Sequence, residues 1–172
     1  MHFSTLFGYC PHCGSDKFIK NNIKSMRCES CGFIMYINPS AAVAAFVEDE
    51  NGNLIVCKRG RDPQKGTLDL PGGFVDDNET AEEAISRELK EELNAEVVSL
   101  KYKFSLPNLY TYSGWTLPTL DMFFSCKIKS TANIKPQDDV EAVSFMKRTE
   151  IQPELFGLSS IRKAIEKYKN GH

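Results

Sequence analysis

The sequence lacks any long hydrophobic run. Its longest apolar stretch, residues 41–47, is far shorter than the ~20 residues that a transmembrane helix requires, so no contact with a membrane is expected. It also lacks an excess of charge of one sign, because 21 basic and 23 acidic residues leave a net charge of −2. That balance gives no support for broad electrostatic binding of nucleic acid or of a membrane surface. The chain contains no internal repeat and no low-complexity tract.

What remains is the composition of an ordinary globular protein. Of its 172 residues, 41% are hydrophobic and 26% are charged, and this length allows one domain of typical size plus a small appendage. No secretory segment precedes the first cysteines, so we expect reduced thiols and a cytoplasmic location.

Four of the six cysteines form two closely spaced pairs. Cys10 and Cys13 make one C-x2-C motif, Cys28 and Cys31 make the other, and 14 residues separate the motifs. This spacing is typical of a structural Zn²⁺ site with four thiolate ligands. Disulfides are the alternative, but the lack of a secretory segment weighs against them. About 35 residues cannot bury enough apolar surface to fold alone, so zinc is expected to stabilise a ribbon domain at residues 1–36.

Residues 80–94 carry the local signals of a single helix. Thr80 and Glu83 have the spacing of a capping box, which predicts that the helix begins at Ala81. Asn94 can end it, because asparagine readily adopts the left-handed conformation that closes helices. The apolar residues recur every four positions and form one stripe that must face a core: Ala81, Ile85, Leu89 and Leu93.

Three glutamates of this helix lie on or beside the apolar stripe. On a helical wheel Glu92 falls about 20° and Glu88 about 60° from Ile85, and Glu91 lies just outside. Clustered carboxylates in poorly hydrated surroundings repel one another unless cations compensate them, so Mg²⁺ or Mn²⁺ is the natural partner. A solvated acidic helix face is the alternative, but its acids would lie opposite the stripe. The sequence therefore predicts a divalent-metal site for a phosphate compound.

Residues 73–95 match the Nudix box, G-x5-E-x7-R-E-U-x-E-E-x-G-U, in which U is aliphatic. Only the last glycine and the last aliphatic residue differ, and they are Asn94 and Ala95 here. The chain thus resembles the Nudix hydrolases, which cleave a diphosphate bond in nucleoside diphosphate derivatives. The resemblance implies an α/β/α sandwich with a mixed β-sheet, which residues 37–172 would form after the ribbon.

The resemblance also implies roles for residues of the box. Glu88, Glu91 and Glu92 would ligate Mg²⁺ or Mn²⁺ or activate the attacking water. Arg87 and Glu79 would form the ion pair that holds loop and helix together.

Two further metal ligands are expected outside these helical positions. The carbonyl oxygen of Gly72, in the loop Pro71-Gly72-Gly73, would join the metal shell, as the resemblance implies. A further acid usually completes such sites, and Asp138, Asp139 and Glu141 compete for that place. Glu141 is favoured, because Glu-Ala-Val-Ser-Phe resembles the E-A-x-x-aromatic segment that opens a strand in these enzymes.

Basic and aromatic side chains near the box are candidates for binding the substrate. Arg59 and Arg61 lie between a predicted strand and the glycine loop, where they could hold phosphate oxygens or remain solvated. After the box, Tyr110, Tyr112 and Trp115 could stack on a base, and core packing is an equal alternative for each.

The remaining elements are predicted from periodicity. Strands are expected at 41–48, 54–58, 96–105, 120–128 and 140–146, and an amphipathic helix at 159–169. The Asn51-Gly52 pair predicts a tight hairpin between the first two strands.

A zinc ribbon joined to a Nudix domain resembles the NAD diphosphatases, which split NAD(H) into two mononucleotides. In those enzymes the motif S-Q-P-W-P-F-P-x-S follows the box. At the corresponding residues, 105–113, only the first serine, the first proline and the last serine are retained. The reaction is therefore carried over to this chain, and the preference for NAD is not.

The expected function is metal-dependent hydrolysis of a diphosphate bond in a small nucleotide, either an NAD(H)-like dinucleotide or an ADP-ribose-like compound. Capped RNA ends are a further candidate substrate. The alternative is a ribbon-tethered module that binds a nucleotide or an RNA end without cleaving it, and the intact set of glutamates argues against it. Related enzymes commonly form dimers, so a homodimer is considered as well.

Overall fold

The structure is a computed structural model that describes residues 6–171. The chain folds as two units, which divide between Asn38 and Pro39. Among the residues described, none of the helices has both the length and the apolar character needed to cross a bilayer.

The first unit is a small antiparallel sheet. Its three strands are β1 (Phe18–Asn22), β2 (Ser25–Cys28) and β3 (Ile34–Tyr36), and β2 lies in the centre. The buried core consists of Cys10, Phe18, Met26 and Cys28. Two of these four residues belong to the predicted metal site, so little apolar surface is available to stabilise the unit by burial alone.

The second unit contains six strands and two α-helices among the residues described. In chain order they are β4 (Ser40–Val47), β5 (Leu54–Arg59), β6 (Leu68–Asp69), α1 (Ala81–Leu93), β7 (Val97–Tyr112), β8 (Trp115–Ile128), β9 (Val140–Met146) and α2 (Ser159–Lys169). The strands form two sheets of three. One has the order β4-β8-β7, in which β4 is parallel to β8, and the other is the antiparallel set β6-β5-β9.

The sheets lie between the two helices. Side chains alternate along β8, so Phe124 packs in the cluster that contains the apolar face of α1, and Phe123 packs in the cluster under α2. Along β5, Ile55 and Val56 divide in the same way. Strands that bury both faces are typical of sheets covered on both sides. The predicted α/β/α sandwich with mixed strand directions is thus confirmed.

Helix α1 begins and ends at the predicted residues. The Thr80 side chain accepts a hydrogen bond from the Glu83 amide, and the Glu83 carboxylate accepts one from the Thr80 amide at 2.9 Å. Asn94 is left-handed, with φ 54°, and its amide donates to the Leu89 and Lys90 carbonyls. Leu89 and Leu93 are fully buried, which stabilises the fold by roughly 2 kcal/mol for each side chain.

The predicted hairpin between β4 and β5 forms only at its turn. Gly52 is left-handed at φ 77°, and the Asp49 amide donates to the Asn53 carbonyl at 2.9 Å. Beyond a single bridge between Glu48 and Leu54 the strands separate into the two sheets. The loop after β6 pairs with the free edge of β4 instead. The separation of β4 from β5 leaves room for a cleft.

Candidate active site

A cleft of about 310 Å³ is lined by residues of both sheets, by the loop after β6 and by α1. Its walls carry an unusual number of buried or half-buried polar side chains, namely Asp69, Glu88, Glu92, Asn108, Asp121 and Asp139. Buried carboxylates are costly unless they are paired or bind a cation. The cleft is therefore the candidate active site of the second unit.

The glycine loop enters the cleft as backbone without side chains. The Val43 amide donates to the Gly73 carbonyl at 2.8 Å, which fixes the loop along β4. Gly72 has φ 148°, and a Cβ there would lie 2.1 Å from the Val43 oxygen. A Cβ on Gly73 would lie 2.3 Å from the nearer oxygen of Glu88. Only glycine at position 72 allows the loop to approach β4 this closely, whereas a Cβ at position 73 would require the Glu88 carboxylate to move.

Glu92 is the most deeply buried acid of α1. It is 7% exposed, and its Oε2 accepts a hydrogen bond from the Gly72 amide at 2.9 Å. Burial, together with the charges of Glu88, Asp139 and Asp69, raises the pKa of its carboxyl to about 9, although the hydrogen bond from Gly72 opposes this shift. The protein alone thus leaves a carboxylate at this position without a compensating cation.

Glu88 lies beside the loop in the same cleft. Burial raises its pKa, and the Arg87 guanidinium, 2.8 Å from its Oε1, only partly opposes that effect. The negative charge of Asp139 also raises the pKa of Glu88, as it raises that of Glu92. Glu88, Glu92 and Asp139 thus line one cleft and repel one another, and a hard divalent cation such as Mg²⁺ or Mn²⁺ would supply the missing positive charge.

Arg87 connects the loop to the helix. Its Nε and Nη2 donate to the two oxygens of Glu79 at 2.8 and 2.9 Å, and Nη2 also donates to the Phe74 carbonyl at 3.0 Å. Its Nη1 reaches Glu91 at 3.1 Å, and half of the Glu91 side chain is exposed. The two-pronged contact with Glu79 fixes both side chains, as planar guanidinium and carboxylate groups allow.

A second ion pair lies across the cleft. Arg59 Nη1 donates to Asp69 Oδ2 at 2.5 Å, its Nε to the Pro63 carbonyl at 2.8 Å, and its Nη2 to the Tyr110 hydroxyl at 3.5 Å. Burial raises the pKa of Asp69 to about 6, because the attraction of Arg59 does not offset the loss of water. Arg59 is thus held on Asp69 within the cleft.

The cysteines of the first unit form a compact cluster. The sulfurs of Cys10, Cys13, Cys28 and Cys31 all lie within 4.8 Å of one another. Cys10 and Cys31 are 3.8 Å apart at Sγ, and Cys13 and Cys28 are 3.6 Å apart. Sulfurs bonded at ~2.3 Å to a tetrahedral ion lie about 3.8 Å from one another. The cluster therefore has the dimensions that a metal ion with four thiolate ligands requires.

Comparison with known proteins identifies the family of the second unit. The model of the NUDIX domain matches residues 38–168, which is most of the chain. The chain belongs to the Nudix family. The ADP-ribose pyrophosphatase of Methanocaldococcus jannaschii is 32% identical over 139 residues, which cover 80% of this chain and 79% of that protein. The NAD-capped RNA hydrolase NudC of Vibrio parahaemolyticus is 27% identical over 118 residues, and the match covers 69% of this chain.

The chain spans less than half of NudC, since the match covers 42% of that protein. Among solved structures, a NUDIX hydrolase from Nitrosomonas europaea aligns with a TM-score of 0.73 at 25% identity, covering 94% of this chain and 90% of the other. A bifunctional NMN adenylyltransferase/ADP ribose pyrophosphatase from Francisella tularensis aligns with a TM-score of 0.61 at 22% identity, which shows the shared fold alone.

Several residues predicted from the sequence lie outside the lining of this Nudix cleft. The Glu141 carboxylate is 2.7 Å from Lys58 Nζ and nearly half exposed, and Lys58 lowers its pKa. Arg61 is exposed and pairs loosely with Asp138 at 3.4 Å. Tyr112 and Trp115 face each other in register at the tip of the β7–β8 hairpin.

Tyr110 does line the cleft, and it packs edge-on against Phe74 with 5.3 Å between ring centroids. Phe74 is 38% exposed and follows the two loop glycines directly, so this position next to the loop could have indicated its place. The pair forms an aromatic wall beside the acids.

Sequence reasoning missed other lining residues as well. Asp69, Asn108 and Asp121 are each about 6% exposed and are contributed by three different strands. The one available signal was the polar pair Thr119 and Asp121, two positions apart in β8 and directly before its apolar residues 122–124. Alternation places both side chains on one face. Asn108 and Asp121 lie beyond the box along the chain, whereas Asp69 lies just before it and no local motif marks it as a lining residue.

Proposed function

We propose that this Nudix protein is a metal-dependent pyrophosphohydrolase, which cleaves the diphosphate bond of an ADP-ribose-like or NAD(H)-like nucleotide. The observation that carries the proposal is the half-buried Glu88 and the buried Glu92, which lie against the backbone of Gly72 and Gly73. Phosphate oxygens can approach such a backbone closely. The relative named ADP-ribose pyrophosphatase and the relatives named NAD-capped RNA hydrolase support this substrate class.

The oxygens of Glu88, Glu91 and Glu92 and the Gly72 carbonyl would hold Mg²⁺ or Mn²⁺. When bound, these ions neutralise phosphate charge, lower the pKa of a bound water and align it for in-line attack. The chain itself fixes the ligands. The Gly72 amide orients Glu92, and Arg87 orients Glu88 and Glu91 while Glu79 holds Arg87 in place.

Asp139 is our proposal for the further acid of the site. It lines the cleft, and its charge raises the pKa of both Glu88 and Glu92, as expected for a carboxylate close to them. The role of Glu141 stays a prediction, and one comparison tests both residues. We expect Asp139→Asn to lower the Mg²⁺-dependent rate by tenfold or more and Glu141→Gln to leave it within about threefold. The reverse order would favour Glu141.

For the cysteine cluster we propose a structural Zn²⁺. Four thiolates close the coordination shell and leave no position for water, so the ion would stabilise the ribbon without entering the reaction. Free thiolates require a reducing compartment, which is consistent with a cytoplasmic location. The homodimer stays a prediction, which light scattering of the purified protein would test.

The direct test is hydrolysis of ADP-ribose and NADH with Mg²⁺ or Mn²⁺, followed by identification of the products. We expect AMP from ADP-ribose, AMP and reduced nicotinamide mononucleotide from NADH, and a loss of at least 100-fold in rate for Glu92→Gln. Glu82→Gln is the matched control, because Glu82 is an exposed acid of the same helix. An undiminished rate in Glu92→Gln would refute the assignment.

Nucleotide binding without hydrolysis in the wild-type protein would instead favour the ribbon-tethered binding module. NAD-capped RNA belongs in the same substrate panel, because several relatives are named NAD-capped RNA hydrolase. This chain spans only part of their length, so that activity requires its own test. Release of a 5′-monophosphate RNA would extend the proposed function to RNA ends.

A further inference from the structure

Three polar residues of the cleft wall are not used by the proposed hydrolysis. Asn108, Thr119 and Asp121 are 6%, 3% and 6% exposed, and all three line the cleft. Asn108 on β7 lies opposite Thr119 on β8, and Asp121 follows two positions along the same strand. Alternation along strands places the three side chains on one face of the hairpin. We refer to these three residues as the inner polar cluster.

Two hydroxyl groups hold Asp121 in a fixed orientation. Thr119 donates to Oδ1 at 2.6 Å, and Ser160, in the first turn of α2, donates to Oδ2. Each carboxylate oxygen can accept about two hydrogen bonds, so one further position remains on each. The register neighbour on β4 is Ala42, whose methyl group is too small to cover the carboxylate. Asp121 therefore offers a rigid acceptor to the cleft.

Asn108 offers the complementary donor. Its Oδ1 accepts a hydrogen bond from the Ser159 hydroxyl at 2.9 Å, so the amide group is oriented by its oxygen. Among the hydrogen bonds of residues 6–171, none uses its Nδ2 as the donor, and Asn108 lines the cleft, so this N–H can donate to a ligand there. A ligand in the cleft is the partner that this geometry provides for.

The charges around the inner polar cluster restrict that ligand. Asp69 lines the same cleft as Asp121, and the nearby cation Arg59 is already bound to Asp69 and Tyr110. Lys58, the other cation in the lining among the described residues, is paired with Glu141, so a ligand group with a negative charge would meet two carboxylates beside cations that are already engaged. A neutral planar group with an amino donor beside an acceptor atom would satisfy both Asp121 and Asn108.

This inference rests on the proposed function and extends it to the base. We propose that Asn108 and Asp121 recognise the substrate base through an amino group that donates to Asp121 and a neighbouring acceptor atom that takes the Asn108 N–H. Adenine carries such an edge at its 6-amino group, and nicotinamide carries one in its carboxamide. The protein would reject hypoxanthine, whose oxygen replaces the amino group, and nicotinic acid, whose carboxylate replaces the carboxamide.

Binding of mononucleotides tests the inference without requiring hydrolysis. Calorimetry with Mg²⁺ present would compare AMP with IMP, and nicotinamide mononucleotide with its nicotinic acid counterpart. We expect the amino-bearing member of at least one pair to bind about 10- to 100-fold more tightly. Preference within the first pair would identify adenine as the base in the cleft, and preference within the second would identify nicotinamide.

Variants separate recognition from a structural role of the inner polar cluster. In Asp121→Asn the amide oxygen still accepts a hydrogen bond from a hydroxyl group, but the NH₂ group now faces the ligand. The preference for the amino-bearing nucleotide should therefore vanish or reverse. Ser160→Ala removes a hydrogen bond from Asp121 without changing the acceptor, so it should lower stability and keep the preference. A merely structural Asp121 would give the same preference in both variants.

Equal affinities within both pairs, no binding of any of the four, or a preference that survives Asp121→Asn would overturn the inference. These outcomes are distinct from failure of the proposed function. A protein that binds AMP over IMP through Asp121 and hydrolyses none of the nucleotide diphosphates would sustain base recognition while refuting the hydrolase.

Discussion

The amide of Gly72 donates a hydrogen bond to the carboxylate of Glu92, with 2.9 Å between nitrogen and oxygen. This contact fastens the loop after β6 to the buried face of α1. It also orients a carboxylate whose pKa burial raises to about 9. Loop geometry and metal chemistry thus depend on the same pair of residues.

Gly72→Ala should therefore disable the site. A Cβ at this position would lie 2.1 Å from the Val43 oxygen, and φ 148° is a conformation that L-residues rarely adopt. We expect the free energy of unfolding to fall by more than about 2 kcal/mol and the hydrolysis rate to fall at least tenfold. Urea denaturation and the ADP-ribose assay measure both. Gly8→Ala is the control, because no atom lies within 4 Å of the added Cβ and Gly8 has no left-handed φ.

The Glu79–Arg87 pair should stabilise the fold only where Glu79 is ionised. Arg87 lowers the pKa of the Glu79 carboxyl below its ordinary 4.5. Its contribution is therefore full above about pH 4.5 and is lost as the pH falls through the lower folded value. We expect the wild type to lose stability relative to Glu79→Gln as the pH falls below about 4.5. A stability difference that does not change with pH would contradict this role.

Asp69 should show the opposite dependence. Burial raises its pKa from 3.8 to about 6, so the folded state holds the proton more firmly than the unfolded chain does. That contribution is full below about pH 3.8 and is lost as the pH rises through about 6. Relative to Asp69→Asn, the wild type should lose at most about 3 kcal/mol between about pH 4 and about pH 7. Denaturation of both proteins across this range measures the difference, and a rise instead of a fall would show that Arg59 dominates.

Removal of metal should affect the two units differently. We expect about one zinc ion per chain in reduced, metal-replete protein, and Cys28→Ser should lose it. Cys126→Ser is the control, because Cys126 lies in the core of the second unit, outside the cysteine cluster. After chelation, hydrogen exchange should rise in residues 6–38 first. Full zinc content in Cys28→Ser would exclude the proposed ligand set.

Local signals explain which elements the sequence could predict. The limits of α1 follow from Thr80, Glu83 and Asn94, whose capping interactions involve only neighbouring residues. Helix α2 follows from its apolar periodicity, and its bounds match the prediction. The two C-x2-C motifs likewise fix the cysteine cluster by spacing alone.

Long-range packing determines the features that could not be predicted from the sequence. The parallel pairing of β4 with β8 brings Ala42 beside Asp121, and no local pattern indicates that register. Arg59 looked available for phosphate, but burial against Asp69 engages it inside the protein. Glu141 matched a familiar segment, yet alternation along β9 turns its side chain toward Lys58 at the surface.

The central claim is that carboxylates of α1 converge on divalent ions, and Mn²⁺ binding measured by electron paramagnetic resonance tests it most directly. We expect the wild type and the control Glu82→Gln to bind Mn²⁺ alike, and the double variant Glu88→Gln, Glu92→Gln to bind it at least tenfold more weakly while remaining folded. Unchanged Mn²⁺ affinity in the folded double variant would contradict the account.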